Sequence, residues 1–177
     1  MRMNRKAQGF ALIDVIFVCG IIGLLCSIAL PRFMLAKSAA GAASAIGSLR
    51  AINSAELTFA LTCGAGFYAP NLTRLGIAPP GSNEPFIGGG LGVTDSVFKS
   101  GYVVKIEGTA YDGAPASCNG LPAGQTARGF KAGADPADPM NQRYFGSNAN
   151  NAIYEHTSSL YAGMPESGDP PAGHPLR

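Results

Sequence analysis

The sequence predicts an α+β fold: one long N-terminal α-helix, apolar in its first half and amphipathic in its second, packed against a small antiparallel β-sheet. Three observations carry this. An apolar run from Phe10 to Leu30 holds a single charge, Asp14. The Ala-, Leu- and Ser-rich stretch after Pro31 meets no further proline until Pro70. Short β-branched or aromatic runs, punctuated by Gly, Pro and Asn, are confined to the second half. A chain of 177 residues suffices for one domain and a long extension.

The first element is the apolar run. Its 21 residues span ~30 Å as a helix, enough to cross a bilayer. Arg2, Arg5 and Lys6 precede it, so the positive-inside rule leaves the short N-terminus in the cytoplasm and everything after Pro31 outside. A carboxylate at membrane depth costs ~2.5–3.5 kcal/mol on insertion scales, which marks Asp14 as functional. An ordinary secretory signal has a shorter apolar core with a small-x-small cleavage site straight after it; here the run is longer and no such site follows at once, Ala36-Lys37-Ser38 lying beyond Pro31 and Arg32. A lipoprotein signal ending at Cys19 or Cys26 is disfavoured by the bulky Val18 and Leu25 before them. An uncleaved signal-anchor accounts for the length but not for Asp14.

Beyond Pro31, Ala45, Leu49, Ile52, Ala55 and Phe59 recur at helical spacing and define a core face. Arg50, Asn53 and Glu56 are placed largely off that face. Cys63-Gly64 supplies a stop. One helix is therefore expected from Phe10 to about Thr62, roughly 80 Å long. Gly20, Gly23 and Pro31 make its weakest part. The seven small residues Ala39–Ala45 would let backbones approach closely, either in packing between helices or simply as a weakly amphipathic stretch.

Residues 63–100 read as a variable loop with several prolines and the run Gly88-Gly89-Gly90, which lacks the Lys-Ser/Thr of a phosphate-binding loop. A short helix is expected at Thr94–Lys99. Tyr102–Ile106 reads as a strand and Ala127–Ala132 as a weaker one. Gln142–Gly146 and Ala152–His156 flank an Asn-rich turn and read as a hairpin. Four short strands, within residues 101–156, are expected to lie across the second half of the helix. The tail, residues 157–177, holds four prolines and three glycines and is expected to wrap the surface, remain disordered or reach a neighbour.

Composition excludes several functions. Without Arg2, Arg5 and Lys6, ten basic residues would face eleven acidic ones, which leaves no electrostatic footprint for nucleic acid. Neither a nucleophile elbow nor a metal-ligand cluster is visible, so no catalytic residue, metal or cofactor is expected. His156 has no evident nucleophile or orienting partner in the sequence. Asp135 and Asp138, in Ala-Asp-Pro repeats, read as turns. Cys19 and Cys26 read as small apolar packing residues. Cys63 and Cys118, in the part placed outside the cytoplasm, read as a disulfide.

The residues Gly9-Phe10-Ala11-Leu12-Ile13-Asp14, followed by an apolar helix with Gly20 and Gly23 and then Pro31, resemble the N-terminal segment of the type IV pilin and pseudopilin family. Two departures stand out: Asp14 where the family usually has Glu, and Ala11 where it usually has Thr. The resemblance implies a pilin fold and a leader, residues 1–9, cut by a prepilin peptidase between Gly9 and Phe10. It implies N-methylation of Phe10, a hydrophobic polymerisation helix over residues 10–30 and an amphipathic helix over 31–62. The expected product is a homopolymer, a type IV pilus, built from the inner membrane by an assembly platform. Phe10, Asp14, Gly20, Gly23 and Pro31 are its expected assembly contacts. Within it, the protonated Phe10 amine of one subunit is expected to meet Asp14 of the next. A periplasmic pseudopilin of type II secretion is the alternative within the family. A monomeric, signal-anchored periplasmic binding domain is the alternative outside it.

Overall fold

The structure, a computed structural model, describes residues 12–139 and 141–176. The chain divides into two units, residues 1–39 and 40–177. Helix α1 (Leu12–Thr62) contributes to both, and the expected boundary at Thr62 holds. In the first unit its side chains are exposed throughout.

The second unit is α+β, with residues 40–62 of α1 packed on a six-stranded antiparallel sheet. The sheet follows chain order: β1 (Ser96–Lys99), β2 (Tyr102–Glu107), β3 (Lys131–Pro136), β4 (Tyr144–Asn148), β5 (Ile153–His156) and β6 (His174–Pro175). Alternation sorts the faces. Tyr102, Val104 and Ile106 of β2 turn inward with Ala132 and Ala134 of β3 and Phe145 of β4. They meet Ala42, Ala45, Leu49, Ile52, Ala55 and Phe59 of α1 in one core. The helical face read from the sequence is thus the buried one.

Four expectations need correction. Residues 96–99 form β1 rather than a helix, because Ser100 and Gly101 both adopt positive φ (51° and 84°). That is the backbone of a two-residue hairpin turn, and it pairs Lys99 with Tyr102. The strand expected at 127–132 runs instead over 131–136, so Asp135 lies in β3 opposite Val103, not in a turn. Pro136 is tolerated there because the β3–β4 ladder has already ended at Ala134. Asn53 and Glu56 are buried, not displaced from the core face. Finally, the sheet has six strands rather than four.

The small-residue run is used, in part, within the second unit. Gly41, Ala42 and Ala45 are buried, and a Cβ on Gly41 would come 2.8 Å from the Ser100 carbonyl oxygen. Ser44 Oγ donates to Ser100 Oγ at 2.9 Å across the same contact. The helix end is closed by Gly66 N–H to the Ala60 carbonyl, with Ala65 and Gly66 at positive φ. Next comes a short helix, α2 (Leu72–Leu75), capped by Asn71 Oδ1, which accepts from Arg74 N–H at 3.1 Å.

The tail takes the wrapping arrangement. It crosses the outer face of the sheet in a trough of glycines: a Cβ at Gly133 would meet Tyr161, at Gly146 Met164, and at Gly129 Glu166. Asn148 Nδ2 donates to the carbonyls of Pro165 and Gly168, and Thr109 N–H donates to Glu166 Oε1 at 2.7 Å. Leu160, Met164 and Tyr154 form a small second core there.

Candidate assembly segment

The candidate site is the described part of the first unit, residues 12–39. Gly9 and Phe10, the expected cleavage and methylation positions, lie outside the described residues. Fifteen of the twenty exposed large apolar side chains among the described residues fall between Leu12 and Leu35. Leu12, Phe17, Phe33 and Met34 are each about seven-tenths exposed. Water would surround a sheath of leucine, isoleucine, valine and phenylalanine. At ~1.5–3 kcal/mol per buried large apolar side chain, covering it with lipid or protein is worth tens of kcal/mol. Among the described residues, α1 is the helix long and apolar enough to cross a membrane.

The two serine hydroxyls in this segment are bonded within the helix. Ser27 Oγ donates to the Leu24 carbonyl at 2.7 Å, and Ser38 Oγ to the Leu35 carbonyl at 2.9 Å. The hydroxyls therefore need nothing from the surroundings. Asp14 lies in the first described turn of α1. Pro31 sits inside the helix, which continues on both sides of it. Having no N–H, it leaves the carbonyl of Ser27 without its helical partner.

The assembly residues proposed from sequence do not share one face. At about 100° per residue, Gly23 lies half a turn round the helix from Asp14, and Gly20 lies nearer to Gly23 than to Asp14. Beyond the helix's own backbone and the adjoining residues, nothing among the described residues lies within 4 Å of where a Cβ on Gly20 or Gly23 would stand. Val18, Ile21 and Leu25 share the face of Asp14. Two surfaces result: one bearing the acid among Val18, Ile21 and Leu25, the other indented at Gly20 and Gly23 between the large side chains of Ile16 and Leu30. Cys19 and Cys26 are free and exposed, beside the indented surface.

In the second unit the expected disulfide is present, joining Cys63 at the end of α1 to Cys118. Cys118 N–H also donates to the Cys63 carbonyl at 3.1 Å. A cleft of about 440 Å³ lies between Gly47, Ala51, Ser54 and Thr58 of α1 and Phe86, Ile87 and Leu91 of the loop, with Lys99 on its wall. His156 Nδ1 accepts from Ser158 N–H at 3.2 Å in a local turn. Among the described residues, His, Cys, Asp and Glu form no group that could hold a metal ion.

Two polar features escaped the sequence reading. Asn53 Oδ1 accepts from Ser147 Oγ at 2.9 Å, tying α1 to β4. Glu56 is wholly buried, and Glu56 Oε2 accepts from Ala69 N–H at 2.8 Å. Burial pushes its carboxyl well above the usual carboxylate range, and the Ala69 bond only partly opposes this. The signal was available: Glu56 follows Ile52 by four and precedes Phe59 by three, on the core face itself.

Comparison of the chain with protein-family models, with curated proteins and with solved structures gave no match.

Proposed function

We propose that the chain is a structural subunit of the type IV pilin kind. Residues 10–30 hold it in the inner membrane until a prepilin peptidase removes residues 1–9. It then polymerises, from a membrane assembly platform, into an extracellular helical filament. The observation that carries this reading is the sheath of exposed apolar side chains over Leu12–Leu35, interrupted by the one acid Asp14. A lipid-facing helix satisfies that sheath before assembly. Copies of the same helix satisfy it afterwards, with no net loss of apolar burial. Asp14 then needs a cation, and the new Phe10 amine of a neighbouring copy supplies one. Residues 40–177 would form the surface of the filament. The long loop, the Cys63–Cys118 bond and the extended tail favour a pilus over a short periplasmic pseudopilus.

The test is N-terminal sequencing of envelope and sheared-surface fractions, with electron microscopy of the latter. Filaments whose subunits begin at Phe10 are expected. An uncleaved chain and no filaments would instead support a monomeric anchored domain. Asp14→Ala should abolish filaments while leaving the membrane-held precursor intact. Unimpaired assembly of that variant would remove the pairing role from Asp14.

A further inference from the structure

We propose that Glu56 is a proton-operated catch, closed when its carboxyl is neutral, that fastens the segment following the disulfide to helix α1. The inference does not depend on assembly and applies to the single chain.

The geometry is that of a fastening between two segments. Glu56 projects from α1 with no exposed surface, and its partner Ala69 lies thirteen residues on, past the helix end and Cys63. The segment it grips is a junction. Tyr68 N–H donates to the Ala127 carbonyl at 2.8 Å, and Ala127 N–H returns a bond to Tyr68 at 2.9 Å. Gly108 N–H donates to the Pro70 carbonyl at 3.0 Å. Residues 64–71 are therefore held between α1 and the loop that carries Cys118. Glu56 is the buried side chain on the helix side of that arrangement.

The second oxygen, Oε1, is buried with no hydrogen-bond partner among the described residues. An ionised carboxylate would have to spread its charge onto one N–H, in a core of Ile52, Phe59 and Leu72. The titratable groups on the surrounding elements are Arg50 on α1, Tyr68, Arg74 on α2, Tyr102, Lys105 and Glu107 on β2, and Arg128 beside Ala127. Arg128 is engaged over the Tyr111 ring at 3.7 Å. None of them sets the protonation of Glu56, which follows from burial first and the Ala69 bond second. A buried carboxyl without a cation stays neutral, and losing its proton drives it towards water. The sign follows. The proton is bound more tightly in the closed form, so raising the pH through the closed-form titration opens the catch.

The experiment is hydrogen exchange at the Ala69 and Tyr68 amides, read by NMR on the full chain in detergent micelles from pH 5 to 9. The protection factor, corrected for intrinsic exchange, should fall by up to tenfold per pH unit between the open-form titration, in the ordinary glutamate range, and the raised closed-form one, and level off above it. Glu56→Gln keeps an oxygen acceptor and cannot ionise, so its protection should stay high and flat. Glu56→Met loses the acceptor and should be flat but low. An equal pH dependence in Glu56→Gln, or constant protection in the parent, would overturn the catch. Should the variants fail to fold, the carbon-13 shift of the Glu56 carboxyl in the parent decides. A midpoint in the ordinary glutamate range would refute the idea.

Discussion

Gly41→Ala and Gly47→Ala are the same substitution on one helix, and the structure assigns them opposite signs. Replacing a helical glycine by alanine contributes ~1 kcal/mol through backbone entropy alone. At Gly47 nothing lies within 4 Å of the new methyl group, so that gain should appear undiminished. At Gly41 the methyl carbon would stand 2.8 Å from the Ser100 carbonyl oxygen and 3.5 Å from the Tyr102 ring. Ser100 cannot easily retreat. It holds a φ of 51° in the β1–β2 turn and is tied to Ser44. Overpacking of this kind costs ~1–3 kcal/mol. The contact therefore outweighs the helical gain, and Gly41→Ala should be destabilising by ~0–2 kcal/mol. The assay is urea unfolding of the full chain in micelles, followed by near-ultraviolet dichroism of the tyrosines. A difference of ~1–3 kcal/mol between the two variants is expected. If Gly41→Ala stabilised as much as Gly47→Ala, the account of the small-residue run as a close approach to the β1–β2 turn would fail.

Two further outcomes follow from the second unit. The Cys63–Cys118 bond closes a loop of 56 residues counting both ends, for which chain entropy gives ~4 kcal/mol. Serine at both positions should lower the midpoint of thermal unfolding by roughly 10 °C or more, and a drop of under ~2 °C would show that the reduced chain stays as constrained. Arg143 grips Glu155 with both Nε (2.6 Å) and Nη2 (3.1 Å), and this holds the Glu155 carboxyl below its usual range. A lowered carboxyl contributes stability above its unfolded-state titration and loses it as pH falls through the folded-state one. Arg143 is half exposed, so Arg143→Met should remove only ~0.2–1 kcal/mol at pH 7 and nothing at strongly acid pH. An equal loss at both pH values would mean packing on Phe145, not charge, is what Arg143 contributes.

How far these features were readable depended on whether the signal was local. Ala45, Leu49, Ile52, Ala55 and Phe59 were legible because a helix writes its buried face at fixed spacing. The β4–β5 hairpin was legible because the Asn-rich turn lies between two runs of strand formers. Asp135 misled because proline and aspartate are strong turn formers, and only the end of a neighbouring ladder makes room for Pro136 in β3. Residues 96–99 misled for a related reason. Four residues hold about one helical turn, and the Ser100-Gly101 signal belongs to the turn after them. The glycines under the tail could not be read at all, since what they accommodate lies some 20 to 40 residues away in sequence. At Glu56 residue type and spacing point opposite ways, a charge arguing for the surface and the helical period for the core, and the period prevails.

Glu56 and Asp14 then pose the same problem on one helix and resolve it differently. Each is an acid where water is scarce or expected to be. Asp14 sits amid exposed apolar side chains, so its environment is whatever covers that sheath, and in the proposed assembly that cover brings a cation. Glu56 is covered already by its own unit, with no cation paired to it among the described residues and one N–H to bind. Its only inexpensive state is neutral. Substitution by the uncharged amide should therefore separate them: tolerated at Glu56, where it keeps the acceptor for Ala69 N–H, and, in the proposed assembly, disabling at Asp14, where the charge itself is what a neighbouring amine would recognise.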